Sequence, residues 1–380
     1  MRTSETRILT THAGSLPRPP HLAELHGRRS RGEHVDSGEL RTEVEAATAA
    51  SIAAQLEAGI DIGNGGEQGR ESFFTYVSHR LTGFGGTSER RLMADLLDHP
   101  DYLALALPQR QRGQVNLMRA PAAIGPVSYR DTHEVMEECR LVEGAGFLET
   151  FMTAASPGIV AAAMENRFYP SRQEYVMAVA TALAAEYRAI VDRGLLLQVD
   201  APDLALERHT LFADRRTAEF LGWVELVVGA INGALAGIEP AAVRLHVCWG
   251  NYEGPHTRDV ALEELLPFLY QAKVGALVIS MANARHAHEY RCFGRAPLPE
   301  HMALVAGVID TTSNYVEHPE VVADRLVRVV EAVGDPSRVI AGTDCGFETS
   351  AGLGAVAPSL VWEKLRSLSA GAALASSRLF

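Results

Sequence analysis

His246 and Cys248 stand two residues apart, and a second cysteine, Cys345, sits in the run Asp344–Cys345–Gly346 near the other end of the chain. On a β-strand, residues i and i+2 project to the same face. One imidazole nitrogen and two thiolates meeting at a point form a zinc-binding set, and three protein ligands leave a coordination position open for a substrate. The same residues also read as a packed thiol beside a satisfied imidazole. A Cys/His nucleophile pair is a third reading, although same-face neighbours do not make an oriented triad. Other polar residues gather in short motifs: His12–Ala13–Gly14–Ser15, Gly65–Gly66–Glu67, Gln198–Val199–Asp200 and Asp310. Cys139 and Cys292 have no such company and read as ordinary thiols. His256, His286, His288 and His301 read as solvated side chains and not as ligands.

These motifs need a scaffold that brings distant stretches together. Short β-branched runs at 8–13, 60–65, 122–127, 195–200, 244–249, 276–281, 305–310 and 339–343 alternate with helical patterns at 39–58, 171–193, 215–236, 259–272, 319–333 and 358–368. A further apolar run at 147–154 is ambiguous. Alternation of this kind predicts parallel strands joined by helices. Eight strands predict an α/β fold, a closed (β/α)8 TIM barrel over residues 1–380, with insertions at about 66–121 and 131–170. No GxGxxG follows the first strand, which argues against a doubly wound sheet. In a barrel, the C-terminal strand ends form the active-site face, and each polar motif above falls at such an end. Ser171 with Glu174 has the spacing of a capping box, and Pro319 suits the first turn of a helix.

Composition narrows the partners. The chain has 380 residues, 47% hydrophobic and 22% charged, which is ordinary for a globular protein. Its 35 basic and 47 acidic residues give a net charge of −12. No basic stripe stands out, so neither nucleic acid nor an anionic membrane is an expected partner. Four cysteines are too few for a disulfide scaffold. The N-terminal run lacks an apolar signal segment, and no run reaches the roughly 20 apolar residues of a membrane span. The expectation is a soluble cytoplasmic protein, with the insertions as lids or as the interface of a homo-oligomer.

The strings TTHAGSLPRP, GIDIGNGGEQGR, LLLQVDAPDLA, LHVCWGNY, GVIDTTSNYVEHPEVVADR and GTDCGFET resemble cobalamin-independent methionine synthase, in particular short single-barrel relatives of its C-terminal catalytic domain. The resemblance runs from about residue 8 to residue 350. It implies a barrel whose Zn2+ activates a small-molecule thiol for alkylation, and a reaction that transfers a methyl group to homocysteine to give methionine. It makes His246, Cys248 and Cys345 the zinc ligands, and places His12, Ser15, Glu67 and Asp200 around homocysteine. Glu67 and Asp200 suit its ammonium, because two carboxylates pair well with one buried cation.

Two departures from the pattern alter the expected chemistry. The long enzymes carry a glutamate ligand near the end of the strand that here reads Val278–Ile279–Ser280–Met281–Ala282–Asn283, which has no carboxylate. They also carry a histidine shortly after the aspartate matching Asp310, where this chain has Thr311 and Thr312, with His318 further on. Asp310 is then the positional candidate for the catalytic acid. Two thiolates and a neutral imidazole leave the zinc set uncharged, which suits a more reactive donor than methyl-folate. The epoxyalkane:coenzyme M transferases are similar and use a His-x-Cys…Cys zinc set. Their thiol carries a sulfonate, for which Arg18, Arg70, Arg285 and Arg291 are the available cations. A specialised S-alkylation or the reverse C–S cleavage is a further alternative. Uroporphyrinogen decarboxylase shares the barrel but uses no metal.

Overall fold

The computed structural model describes residues 1–110, 114–115 and 117–380. Seven parallel strands pair in sequence order: Ile62–Gly63, Glu149–Ala155, Leu196–Asp200, Val243–Val247, Ala276–Ser280, Ala303–Ile309 and Val339–Thr343. The ring closes through residues 10 and 11. Thr10 bridges Ala341 and Thr11 bridges Ile62, both parallel, and the Thr11 N–H reaches the Ala341 carbonyl at 2.8 Å. The eight staves make the expected (β/α)8 barrel, with residues 10–11 as the first strand and Val339–Thr343 as the eighth.

One stave differs from the sequence reading. Of the run 122–127, only Ala122–Ala123 is a strand, and it pairs antiparallel with Phe84–Gly85 outside the ring. Gly125–Pro126 ends that run, and proline has no N–H to extend a ladder. The ambiguous run at 147–154 supplies the third stave, Glu149–Ala155. That strand lies inside the stretch 131–170. The rest of that stretch includes the helices His133–Val142 and Pro157–Ala163, on either side of the strand. The stretch 66–121 also reaches into the core, burying Phe74, Tyr76, Val77 and Leu81. Its Arg80 pairs with Glu138 at 2.7 Å and Glu186 at 3.1 Å.

The barrel is filled and wrapped as its period-two pattern demands. Leu245 and Val247 face out into the core shared with the helices. Arg244 points inward: its guanidinium lies 3.7 Å from the Phe151 ring centre and donates to Thr11 Oγ1 and the His12 carbonyl. Leu9, Ile62, Phe151, Leu196, Val278, Val305 and Ile340 form a separate apolar cluster, with one residue from nearly every stave. Outside, Ser171 caps helix Arg172–Val191 by accepting from the Glu174 N–H. Pro319 opens helix Pro319–Val333, where the His318 ring accepts from the Glu320 N–H. Among the described residues, no helix is long and apolar enough to cross a membrane.

Candidate metal centre and thiol pocket

Alternation on the fifth stave carries His246 to the same side as Arg244, and Cys248 follows just past the strand end. Cys345 lies two residues past the eighth stave. One ligand atom from each of His246, Cys248 and Cys345 falls within 4.8 Å of the others, and all three residues are buried. The two sulfurs are 4.0 Å apart. That is far beyond a disulfide bond, and all four cysteines are free. Two thiolates on a tetrahedral zinc at 2.3 Å stand about 3.8 Å apart, so the pair already has metal-ligand spacing. His246 Nδ1 lies 3.1 Å from Asp200 Oδ1, while His246 Nε2 is buried without a partner. A ligating histidine shows this pattern, its far nitrogen held by a carboxylate and its near nitrogen left for the ion. Burial works against charge on His246, but Asp200 and Cys248 raise its pKa to about 10. The hydrogen bond from Cys345 holds the Cys248 thiol well below its usual value. The donor set fits zinc.

Asp200 joins this trio to a second polar group. Its Oδ1 also accepts from Gln198 Nε2 at 2.7 Å, and Gln198 reaches the Ala13 carbonyl at 2.6 Å. Glu67 lies close enough for the Asp200 charge to act on it. Burial first, and that charge second, push the Glu67 pKa up to about 7. Glu67 Oε1 accepts from Thr153 Oγ1 at 2.9 Å, and Oε2 is buried with no partner. Its backbone sits at φ 58, a left-handed conformation that costs a non-glycine residue energy. A Cβ on Gly14 would come within 2.5 Å of Glu67 Oε1; only glycine lets that carboxylate approach. Ser15 is buried beside the cysteine loop, where a Cβ on Gly346 would meet Ser15 Oγ at 2.0 Å.

The remaining sequence candidates are placed as follows. His12 has both ring nitrogens in use: Nδ1 accepts from the Gly14 N–H and Nε2 donates to Gln55 Oε1 at 2.8 Å. Burial pushes its pKa down to about 3, so it is neutral. It shapes the Gly14 turn from behind. Asp310 is half-buried, and its Oδ1 accepts from the Thr312 N–H and hydroxyl at 2.9 and 2.8 Å. Cys139 and Cys292 are buried thiols, pushed up to about 12 by burial. His288 and His301 are exposed as expected. His256 and His286 are not solvated. His286 is buried, His256 is largely so, and both contact Asp259, because three loops fold over them. Arg18 bonds the Glu67, Arg70 and Glu348 carbonyls, and Arg70 bonds Glu138 and Thr153. Arg285 and Arg291 are exposed.

Several site residues escaped the sequence reading. Thr153 holds both Glu67 and Arg70, but belongs to the ambiguous run. Asn251 donates to the Gly346 carbonyl at 2.7 Å and accepts from Thr311. Asp344 receives the Met281, Ala282 and Asn283 N–H groups and Asn283 Nδ2. It therefore organises the segment that lacks the family glutamate.

A parallel barrel thus brings a His/Cys/Cys trio and a carboxylate pair to its C-terminal strand ends. The sequence of residues 145–360 matches the model of the cobalamin-independent synthase catalytic domain, and the chain belongs to that family. It is 24% identical to a methionine synthase of Sulfolobus acidocaldarius, over 90% of this chain and 86% of the other. It is 25% identical to a 2-hydroxypropyl-CoM lyase of Xanthobacter autotrophicus, over 91% of each chain. A solved B12-independent methionine synthase of Shewanella sp. W3-18-1, in complex with selenomethionine, superposes with a TM-score of 0.76 at 22% identity. That match covers 98% of this chain and 99% of the other.

Proposed function

We propose that the protein is a zinc-dependent thiol S-alkyltransferase that transfers a methyl group from a small-molecule donor to homocysteine, giving methionine. The observation that carries this reading is the place of Asp200, which touches His246 on one side and acts on Glu67 on the other. A site for sulfur and a site for a cation are thereby built back to back. An amino-acid thiol bridges the two, with its sulfur toward Cys248 and Cys345 and its ammonium between Glu67 and Asp200.

His246, Cys248 and Cys345 would hold the ion. When bound, zinc supplies a Lewis acid that keeps a thiol in its nucleophilic thiolate form at neutral pH. The chain's own residues do the rest. Asp200 fixes the His246 tautomer by accepting from Nδ1, which leaves Nε2 free as a donor of electrons. Glu67 ionises as the ammonium arrives, since the incoming positive charge offsets both its burial and its repulsion from Asp200. Ser15, beside Gly346, is placed to donate to the substrate carboxylate. Asp310, at the mouth of the barrel, is assigned to deliver the proton to the leaving group. The family relative named 2-hydroxypropyl-CoM lyase favours a second reading, a sulfonate thiol as acceptor. Against it, Arg18 and Arg70 are already committed to protein partners.

The test is metal content with thiol titration. One zinc per chain at this centre, lost when Cys248→Ser or Cys345→Ser is made, and homocysteine binding with proton release are expected. Coenzyme M binding without homocysteine binding would refute the acceptor. Full zinc retention at the thiolate site in both variants would refute the ligand set.

A further inference from the structure

A second cluster lies on the same end of the barrel, built from loops after the fourth, fifth and sixth staves. His256 and Asp259 follow the fifth stave, His286 the sixth and His209 the fourth. His256 Nδ1 and His286 Nε2 each stand 2.8 Å from Asp259 Oδ2. The ligand atoms of these three residues fall within 4.8 Å of one another. The outer nitrogens are also taken: His256 Nε2 faces the Tyr252 carbonyl at 3.1 Å, and His286 Nδ1 faces Glu289 Oε2 at 2.9 Å. Glu289 is itself held by the Leu262 N–H at 2.7 Å.

These contacts fix where the protons sit. A carbonyl oxygen only accepts, so His256 Nε2 carries a hydrogen. A neutral His256 then points its Nδ1 lone pair at a carboxylate oxygen. His286 meets a carboxylate at each nitrogen and, if neutral, has one hydrogen for the two. Each neutral ring is therefore one hydrogen short, His256 at Asp259 and His286 at either Asp259 or Glu289. Two extra protons would fill those contacts, and so would one divalent ion held between the two rings and Asp259. Beside them, both ring nitrogens of His209 face carboxylates, Nδ1 lying 3.4 Å from Asp95 Oδ1. His209 Nε2 lies 3.3 Å from Asp259 Oδ1, and its side chain is 1% exposed. A single divalent ion satisfies the two inner nitrogens and Asp259 together.

We propose that His256, Asp259 and His286 bind a divalent transition-metal ion of the zinc class, at a site separate from His246, Cys248 and Cys345. The outer contacts match those of ligating histidines, whose second nitrogen donates to a carboxylate or a carbonyl. Zinc–ligand distances near 2.1 Å put neighbouring ligand atoms about 3.4 Å apart, so the 2.8 Å contacts need open by about 0.6 Å. The three ligands come from two separate loops, so the ion would join them. The ion ties the loops to the stretch 66–121, whose Asp95 accepts from the Tyr252 hydroxyl and the His256 N–H. Trp249, next to Cys248, stacks on His286 with ring centres 3.9 Å apart.

The experiment is a cobalt(II) and zinc(II) titration of the whole protein. Wild type is expected to bind a second equivalent beyond the thiolate site, lacking the sulfur-to-cobalt charge-transfer band. Cys248→Ser/Cys345→Ser should keep that equivalent, and its removal by chelator should lower Tm. His256→Asn or Asp259→Asn should abolish it and leave the thiolate band intact. If wild type binds one cobalt only, with a thiolate band, and the double cysteine variant binds none while folded, the proposal is overturned. Should the double cysteine variant fail to fold, the count on wild type against Asp259→Asn decides. Equal stoichiometry in the two overturns the second site. A single thiolate-free equivalent, lost with His256, supports this site and refutes the cysteine site instead.

Discussion

Replacing Glu67 by glutamine removes one of the two charges assigned to the substrate ammonium while preserving shape. Charged hydrogen bonds contribute roughly 1.5–3 kcal/mol, and loss of a buried ion-pair partner costs about 3–5 kcal/mol. Asp200 remains to pair the ammonium, so the lower range applies. At ~2–3 kcal/mol, homocysteine binding weakens by about 30- to 150-fold. Because Glu67 rests near a pKa of about 7, it is close to half-protonated at pH 7. Ammonium binding ionises it and releases roughly half a proton beyond that of the thiol. Calorimetry in buffers of differing ionisation enthalpy reads both quantities. Glu67→Gln should lose the affinity and that part of the proton release, while 4-mercaptobutanoate, which lacks the ammonium, should bind both proteins alike. An equal loss for both ligands refutes the ammonium assignment. The same shift has a stability signature. The folded pKa is raised from 4.5, so the native state holds its proton more tightly than the unfolded chain. Wild-type stability therefore falls as pH rises from about 4.5 to about 7, by at most roughly 3 kcal/mol. Glu67→Gln lacks that fall, and its Tm should gain on wild type above pH 7.

Asp200→Asn should weaken zinc about 10- to 100-fold by loosening the His246 tautomer, measured by competition with a chromophoric chelator; unchanged affinity refutes the coupling. Gly14→Ala places a methyl 2.5 Å from Glu67 Oε1 at φ +134. Overpacking of about 1–3 kcal/mol should lower Tm by about 1–4 °C and weaken homocysteine, and a silent variant refutes the close approach. Asp310→Asn should lower kcat while leaving homocysteine binding intact. Unchanged kcat would reduce Asp310 to the anchor of the Thr312 turn.

The convergence of His246, Cys248 and Cys345 was legible because it rests on two local rules. Same-face alternation puts His246 and Cys248 together, and closure of a barrel brings the Cys345 stave beside the first strand. The third stave was harder to read, because 147–154 and 122–127 are both short apolar runs. Only pairing distinguishes them, and pairing is a tertiary fact. His256 and His286 were misread for a related reason, since loop residues count as solvated until other loops cover them. A signal was present: His256 with Asp259 and His286 with Glu289 share the same i, i+3 spacing. What no local rule supplies is the convergence of both pairs on one aspartate from separate loops. His12 shows the opposite limit. Its position at a strand end suggested contact with substrate, but Gln55, on the helix Ser37–Glu57, takes its outer nitrogen.

Asp200 decides how the two halves of the active centre work together. A carboxylate that only oriented His246 would not need a second acid beside it. A carboxylate that only held an ammonium would not need to touch an imidazole. Having one residue do both makes sulfur and nitrogen recognition interdependent. In the proposed function, an ammonium near Asp200 would draw negative charge away from the His246 contact and make that imidazole a weaker donor, so an ion held there would be the stronger Lewis acid. A thiol without the ammonium would leave Glu67 protonated and Asp200 turned wholly to His246. On that proposal, selectivity for an amino-acid thiol would arise in activation as well as in affinity. It should appear as a lower pKa of the bound thiol for homocysteine than for 4-mercaptobutanoate on the same zinc protein.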